Sequence, residues 1–263
     1  MEPGSTSRPF GVITGASRGI GAEYARALAG RGYDLLLVSR DKARMDQLAF
    51  ELTSRHAIAA VSEALDLAQE DAAHRLYVAA RQRRPHVDLL VNNAGFGLYG
   101  EFVNMPMARV QAMLRLHVNT IVESIRLFLP AMIERRAGGI INVASIAGFY
   151  SVPYMAEYAA TKAFLIAFSE ALAEEVASSS VRVQACCPGS RATDFHATAG
   201  FRPKNPVRVQ TPAEVVSASL SALEHGQSVV TTGWQWRALA ALSRLMPRHW
   251  LTRMAARSMK PWR

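Results

Sequence analysis

The chain has 263 residues, half of them apolar and 19% charged, which excludes disorder and low complexity as its main state and allows a core that needs no disulfide or metal staple. Its net charge of +9 is not a nucleic-acid signature: residues 234–263 carry seven lysines and arginines and no acid, leaving 23 bases against 21 acids elsewhere. The only cysteines, Cys186 and Cys187, are adjacent, poor partners for a disulfide and too few for structural zinc, so a reduced, cytoplasmic chain without a metal site is expected.

Residues 1–8 read as a flexible lead-in with no signal-peptide core, and no uninterrupted apolar run reaches the about 18 residues of a membrane span. From there the pattern alternates. Apolar runs at 10–14, 35–39, 58–65, 87–91, 140–144, 181–186 and 228–232 predict seven strands buried on both faces. Helical patterns lie between them, near 19–31, 41–54, 69–83, 106–134, 155–178 and 212–225. Strand–helix alternation predicts an α/β fold: a doubly wound, seven-stranded parallel sheet with helices on both faces, in one domain over residues 9–233. Residues 189–211 break the rhythm with Gly189, Gly200, Pro203 and Pro206. A loop this long in a compact domain is more often functional than idle, and it is read as a lid.

The first predicted strand runs into Thr14-Gly15-Ala16-Ser17-Arg18-Gly19-Ile20-Gly21, which opens a helix. Glycines there let the backbone approach a pyrophosphate, and the helix N-terminus offers free N–H groups to an anion. Farther on, Tyr158 and Lys162 stand at i and i+4 and so share one helix face. A phenol, with a pKa near ~10, is too weak an acid at neutral pH unless tuned. A neighbouring ammonium lowers that value, and a tyrosine so tuned can give a proton to a carbonyl oxygen or take one from an alcohol. Ser145 can hold that oxygen by a hydrogen bond.

These motifs together resemble the classical short-chain dehydrogenase/reductase family over about residues 10–233. The carriers are the Gly-x3-Gly-x-Gly spacing of Gly15, Gly19 and Gly21; Asn92-Asn93-Ala94-Gly95 after the fourth strand; Asn119 in the next helix; Ser145 at the end of the fifth strand; Tyr158-Ala159-Ala160-Thr161-Lys162 beginning 13 residues later; and Pro188-Gly189 with Thr193 beyond. The resemblance implies a Rossmann-like fold and hydride transfer between a nicotinamide cofactor and a carbonyl or alcohol. It implies a catalytic set of Asn119, Ser145, Tyr158 and Lys162, with Lys162 also on the nicotinamide ribose and Asn119 anchoring a water-linked proton relay. Cofactor contacts fall on Gly15, Ser17, Arg18, Gly19, Ile20, Gly21, Asn93, Ala94, Gly95, Tyr158, Lys162, Pro188, Gly189 and Thr193, and the hydride would be the pro-S one. Enoyl reductases of the superfamily usually separate tyrosine and lysine by six residues; the three here favour carbonyl chemistry. Ala144 and Thr161 stand where the family often has serine.

The second strand ends Val38-Ser39-Arg40, with no acid to take a ribose 2′-hydroxyl. Arg18 and Arg40 could clamp a 2′-phosphate, as in NADPH-preferring members, so NADP(H) is expected over NAD(H). Asp66 matches the family's adenine contact, with Leu67 beside it. Phe96, Leu98, Tyr99, Ile146, Phe149, Tyr150, Val152, Tyr154, Phe195 and Phe201 follow the motifs and suggest a pocket for an apolar carbonyl compound. The tail, 234–263, is a basic amphipathic extension that Pro247 splits into two short helices, and it resembles extensions in a bacterial branch of diverse-specificity reductases. Packing over the substrate mouth or a second subunit is the preferred role; an anionic membrane surface, serving a reductase of lipid or acyl carbonyls, is the alternative. A non-catalytic dinucleotide binder is disfavoured, since the whole catalytic set stands. By resemblance the chain is expected as a homodimer or homotetramer.

Overall fold

The computed structural model describes residues 8–189 and 210–260. Seven strands form one parallel sheet: β1 (Phe10–Thr14), β2 (Asp34–Ser39), β3 (Ala60–Ala64), β4 (Leu89–Asn92), β5 (Gly139–Val143), β6 (Arg182–Cys187) and β7 (Val229–Thr231). Their order is β3-β2-β1-β4-β5-β6-β7, and each expected strand is present within two residues of its predicted ends. Register is continuous across the centre, with Val12 beside Leu36 on one side and Leu90 on the other.

Side-chain alternation sends successive strand residues to opposite faces. Val12, Leu36, Val38, Leu90, Ile140 and Val183 belong to one core, under α3 (Ala72–Arg83), α5 (Thr120–Arg135) and α6 (Ala156–Glu175). Ile13, Leu35, Leu37, Val91, Ile141 and Cys186 belong to the other, under α1 (Gly19–Ala29), α2 (Lys42–His56) and α7 (Pro212–Glu224). The fold is therefore doubly wound, as its sequence pattern requires. Two further helices, α8 (Trp234–Leu245) and α9 (Arg248–Met259), flank Pro247. Residues 1–7 of the expected lead-in at 1–8, and residues 190–209 of the expected lid at 189–211, lie outside the described residues.

The segment after β4 is one helical rod. It runs through α4 (Met107–Leu114), a π turn (Arg115–Asn119) and α5. By length and composition this rod is apolar enough to cross a membrane, but its stripe of Val110, Met113, Ile121, Ile125, Phe128 and Met132 is buried in this fold. Chain order reverses between β1 and β4, so a crevice opens beyond the carboxyl ends of these two strands, where ligands of open α/β sheets bind.

Candidate active site

The turn after β1 is built from backbone bonds and small residues. Thr14 Oγ1 donates to the Val91 carbonyl and accepts from the Asn93 and Ala94 N–H groups at 2.9 and 3.1 Å. Asn93 Nδ2 donates back to the carbonyls of Thr14 and Gly15. The two segments that border the crevice are thus tied together. Gly15 adopts φ +67°, and a Cβ at Gly21 would run into the Gly15 carbonyl. Arg18, at the N-cap of α1, makes no side-chain cap bond, and the first turn holds no acid. Free N–H groups and the positive end of the helix therefore face the crevice, and this cradle fits the pyrophosphate of a dinucleotide.

Around this cradle lie the other expected cofactor residues. Ser17 is half-buried and Ile20 buried, while Arg18 and Arg40 are exposed. Asp41 is engaged elsewhere: it caps α2 by accepting from the Arg44 N–H and pairs with the Arg44 guanidinium at 3.3 Å. Asp66 is half-buried and accepts from the Ala68 N–H, and the Leu67 carbonyl accepts from the Thr120 hydroxyl at 2.8 Å. Asp66 therefore closes a turn ahead of α3 and does not cap that helix. Pro188 is buried, with Gly189 beside it half-buried. Thr193 lies outside the described residues, as do Phe195 and Phe201.

The chemistry-bearing side chains converge on β5 and α6. Tyr158 and Lys162 are both buried. Lys162 Nζ donates to the Val143 carbonyl at 2.8 Å and stands 5.6 Å from the centre of the Tyr158 ring. Ser145 follows β5, and its hydroxyl accepts from the Ala147 N–H at 3.2 Å. The Ile146 N–H donates to the Pro188 carbonyl at 3.0 Å, so the serine turn is joined to the end of β6. Behind the turn a fully buried chain of side chains holds strands to helix: Asn92 Nδ2 donates to Asn142 Oδ1, and Asn142 Nδ2 to Ser169 Oγ, each at 2.9 Å. Neither Asn142 nor Ser169 carries a signal in the sequence beyond being polar in an apolar run.

Asn119 is not brought into this cluster. It ends the π turn with an exposed side chain. His117, two residues earlier and therefore on the opposite side of the rod, takes the inner position. Its ring is fully buried and lies edge-to-face with Tyr158, centroids 5.9 Å apart. Nε2 accepts from the Phe96 N–H at 3.1 Å, which places the proton on Nδ1, 3.1 Å from Thr161 Oγ1. That hydroxyl donates onward to the Tyr158 carbonyl at 2.8 Å. Burial, and then the charge of Lys162, pushes the imidazole pKa well below 6.5, so His117 is neutral beside the cationic lysine. The π turn widens the rod at this point, as such turns often do at functional sites. Sequence reasoning missed His117, although the buried stripe Val110–Met113–His117–Thr120–Ser124 carries the signal.

One wall beside Tyr158 is apolar. Leu98, Val110, Met113, Val152, Met155 and Ala159 form a buried cluster with it, and Phe96, Tyr99, Tyr150 and Met259 pack on its edge. Burial raises the pKa of Tyr150, so its phenol stays neutral. Tyr154 holds φ +66°, with its carbonyl accepting from the Gly100 N–H at 2.9 Å. Five of the ten expected pocket residues, Phe96, Leu98, Tyr99, Tyr150 and Val152, are thus gathered at one place, whereas Phe149 packs against the core under α6. Met259, from the last helix, was not foreseen.

Residues 11–202 match the family model for short chain dehydrogenases. The chain is 35% identical over 183 residues to the very-long-chain 3-oxoacyl-CoA reductase of Bos taurus, which covers 68% of this chain and 58% of that protein; it thus spans less than two thirds of that relative. It is 33% identical over 218 residues to a ketoacyl reductase of Nostoc, covering 81% of this chain and 75% of the other. Among solved structures, a short-chain dehydrogenase from Sphingobium yanoikuyae in complex with NADPH superposes with a TM-score of 0.81 at 31% identity, over 90% of this chain and 93% of that one. The bulky-bulky ketone specific alcohol dehydrogenase from Comamonas testosteroni gives 0.78 at 29%, over 91% and 93%.

Proposed function

The chain belongs to the short-chain dehydrogenase/reductase family, and from that premise we propose that it is an NADP(H)-dependent reductase of a carbonyl group, or the reverse alcohol dehydrogenase, acting on an apolar small molecule. The observation that carries this reading is Lys162, with its Nζ on the Val143 carbonyl and 5.6 Å from the Tyr158 ring, together with Ser145 on the turn after β5 and an apolar wall around the tyrosine. With the pyrophosphate of the dinucleotide held by the cradle, its nicotinamide would supply or accept the hydride. Ser145 holds the carbonyl oxygen by a hydrogen bond, and Tyr158 gives that oxygen a proton. The Lys162 ammonium, fixed on the Val143 carbonyl, favours the phenolate left behind. His117 is a positioning residue: neutral, it ties the segment after β4 to the tyrosine helix without adding a second charge. This is the task that the family resemblance assigns to Asn119.

The preference for NADP(H) is supported by exposed Arg18 and Arg40 at the cradle and by the engagement of Asp41 as a helix cap. The apolar substrate is supported by the wall around Tyr158 and by the relatives, named for acyl and bulky ketone substrates. A homodimer or homotetramer belongs to the same reading: Leu114, Ile133 and Phe164 leave apolar surface on α4, α5 and α6.

The test is NADPH oxidation against 3-oxoacyl thioesters, bulky aromatic ketones, steroids and short aldehydes, with NADH beside NADPH. Tyr158→Phe should retain cofactor binding and lose about 10²–10⁴-fold in kcat/KM. A folded sample that binds neither cofactor would overturn the reading.

A further inference from the structure

The two helices after β7 have unlike faces. The inner face is fastened beside the reaction centre at two points. Trp236 lies so close to Gly189, just past β6, that a Cβ there would collide with the indole. At the far end, the Met259 carbonyl accepts from the Tyr99 hydroxyl at 2.5 Å, and Met259 packs at the edge of the cluster that holds Tyr158. Ala240, Ser243 and Leu251 are buried between these points.

The outer face is not covered. Among the described side chains of α8, those exposed are Trp234, Arg237, Ala238, Ala241, Leu242 and Leu245, the i, i+3, i+4, i+7, i+8, i+11 progression of one helix face. Trp250, Arg253, Met254 and Arg257 repeat it along α9. These are large apolar groups: Trp234 is 72% exposed, Leu245 83%, and Trp250 and Met254 59% each. Phe102 and Val103, three and four residues beyond Tyr99, are exposed as well. The whole segment 234–263 has seven cations and no acid.

We propose that the outer face of α8 and α9 docks on an anionic lipid surface. Tryptophan and aliphatic side chains spaced along one helix face, interleaved with arginine, suit the boundary between acyl chains and headgroups. Guanidinium groups pair well with lipid phosphates. A second copy fits less well, because a two-fold contact brings the same patch against itself, and that patch has cations with no acid to meet them. A nucleic acid would use the charges but leave the indoles and leucines without a purpose. Because the inner face is fastened beside Tyr158, docking would place the mouth of the site at the lipid, where apolar carbonyl compounds concentrate. Only this corollary rests on the reductase reading; the docking does not.

The experiment uses the full chain and flotation with vesicles of phosphatidylcholine alone or with one third phosphatidylglycerol. Binding should appear with the anionic vesicles and fall at least about tenfold with neutral vesicles or in high salt. Combining Trp234→Ala, Leu245→Ser and Trp250→Ala should abolish it while circular dichroism and NADPH binding stay as in the parent, and Arg248→Gln with Arg253→Gln and Arg257→Gln should weaken it. Emission from Trp234 and Trp250 should be quenched by brominated lipid. No flotation with anionic vesicles overturns the proposal, as does flotation unchanged in the triple apolar variant. A fall in solution mass of that variant without vesicles assigns the face to a second copy and equally overturns it. So does binding of duplex DNA that matches or exceeds the vesicle binding.

Discussion

Protonation of His117 should be visible as acid sensitivity of the fold. Its Nε2 must stay unprotonated to accept from the Phe96 N–H, and its ring is fully buried near Lys162. The unfolded chain has no such constraint and binds a proton near the ordinary 6.5. With the folded pKa depressed, the unfolded state binds more protons on the acid side, so stability is complete above about pH 6.5 and is lost as pH falls below it. With the native ring neutral throughout, moving from about pH 6.5 to about pH 5.5 costs about 1 kcal/mol through this group. His117→Asn removes the titration and leaves one buried partner short of a hydrogen bond, which costs about 1–3 kcal/mol relative to the parent with its imidazole neutral. Urea denaturation of both proteins should therefore show the variant less stable near pH 6.5, with the gap closing by about 1 kcal/mol near pH 5.5. A gap that stays constant with pH would refute the buried, neutral assignment. In turnover, Asn should retain more of kcat than Ala at the same position, because only Asn can still offer a hydrogen bond to Phe96 or Thr161.

Other outcomes follow from particular contacts. Arg40→Ala should raise the KM for NADPH by about 10–100-fold and leave NADH nearly unaffected, since a charge-assisted bond to a phosphate contributes about 1.5–3 kcal/mol; equal effects on both cofactors would remove Arg40 from the 2′-phosphate. Gly189→Ala should displace the Trp236 indole and lower thermal stability by about 1–3 kcal/mol, read as a melting shift with altered tryptophan emission. Burial pushes the Cys187 thiol up, and both cysteines are buried, so a thiol reagent should label neither in the native protein at neutral pH and both once it is unfolded.

Much of this molecule was legible in order along the chain. Seven apolar runs determined the strands, because a residue in the middle of a parallel sheet must be apolar whichever face it meets. The glycine turn and the Tyr158–Lys162 spacing pointed to the site for a similar reason: both depend on backbone geometry within a few residues, and local sequence controls that. Asn119 and His117 mark where this ended. Both are polar residues in one helix, and only the packing of α4 and α5 on the sheet decides which of them turns inward. The buried stripe from Val110 to Met132 selects His117. Composition also made the tail basic and amphipathic, but not its anchorage. Trp236 against Gly189 and Met259 against Tyr99 join residues 47 and 160 positions apart, and contacts of that separation exist only after the sheet has brought the ends of its strands together. Tertiary structure thus decided which face of the extension is covered and which is left to face a surface.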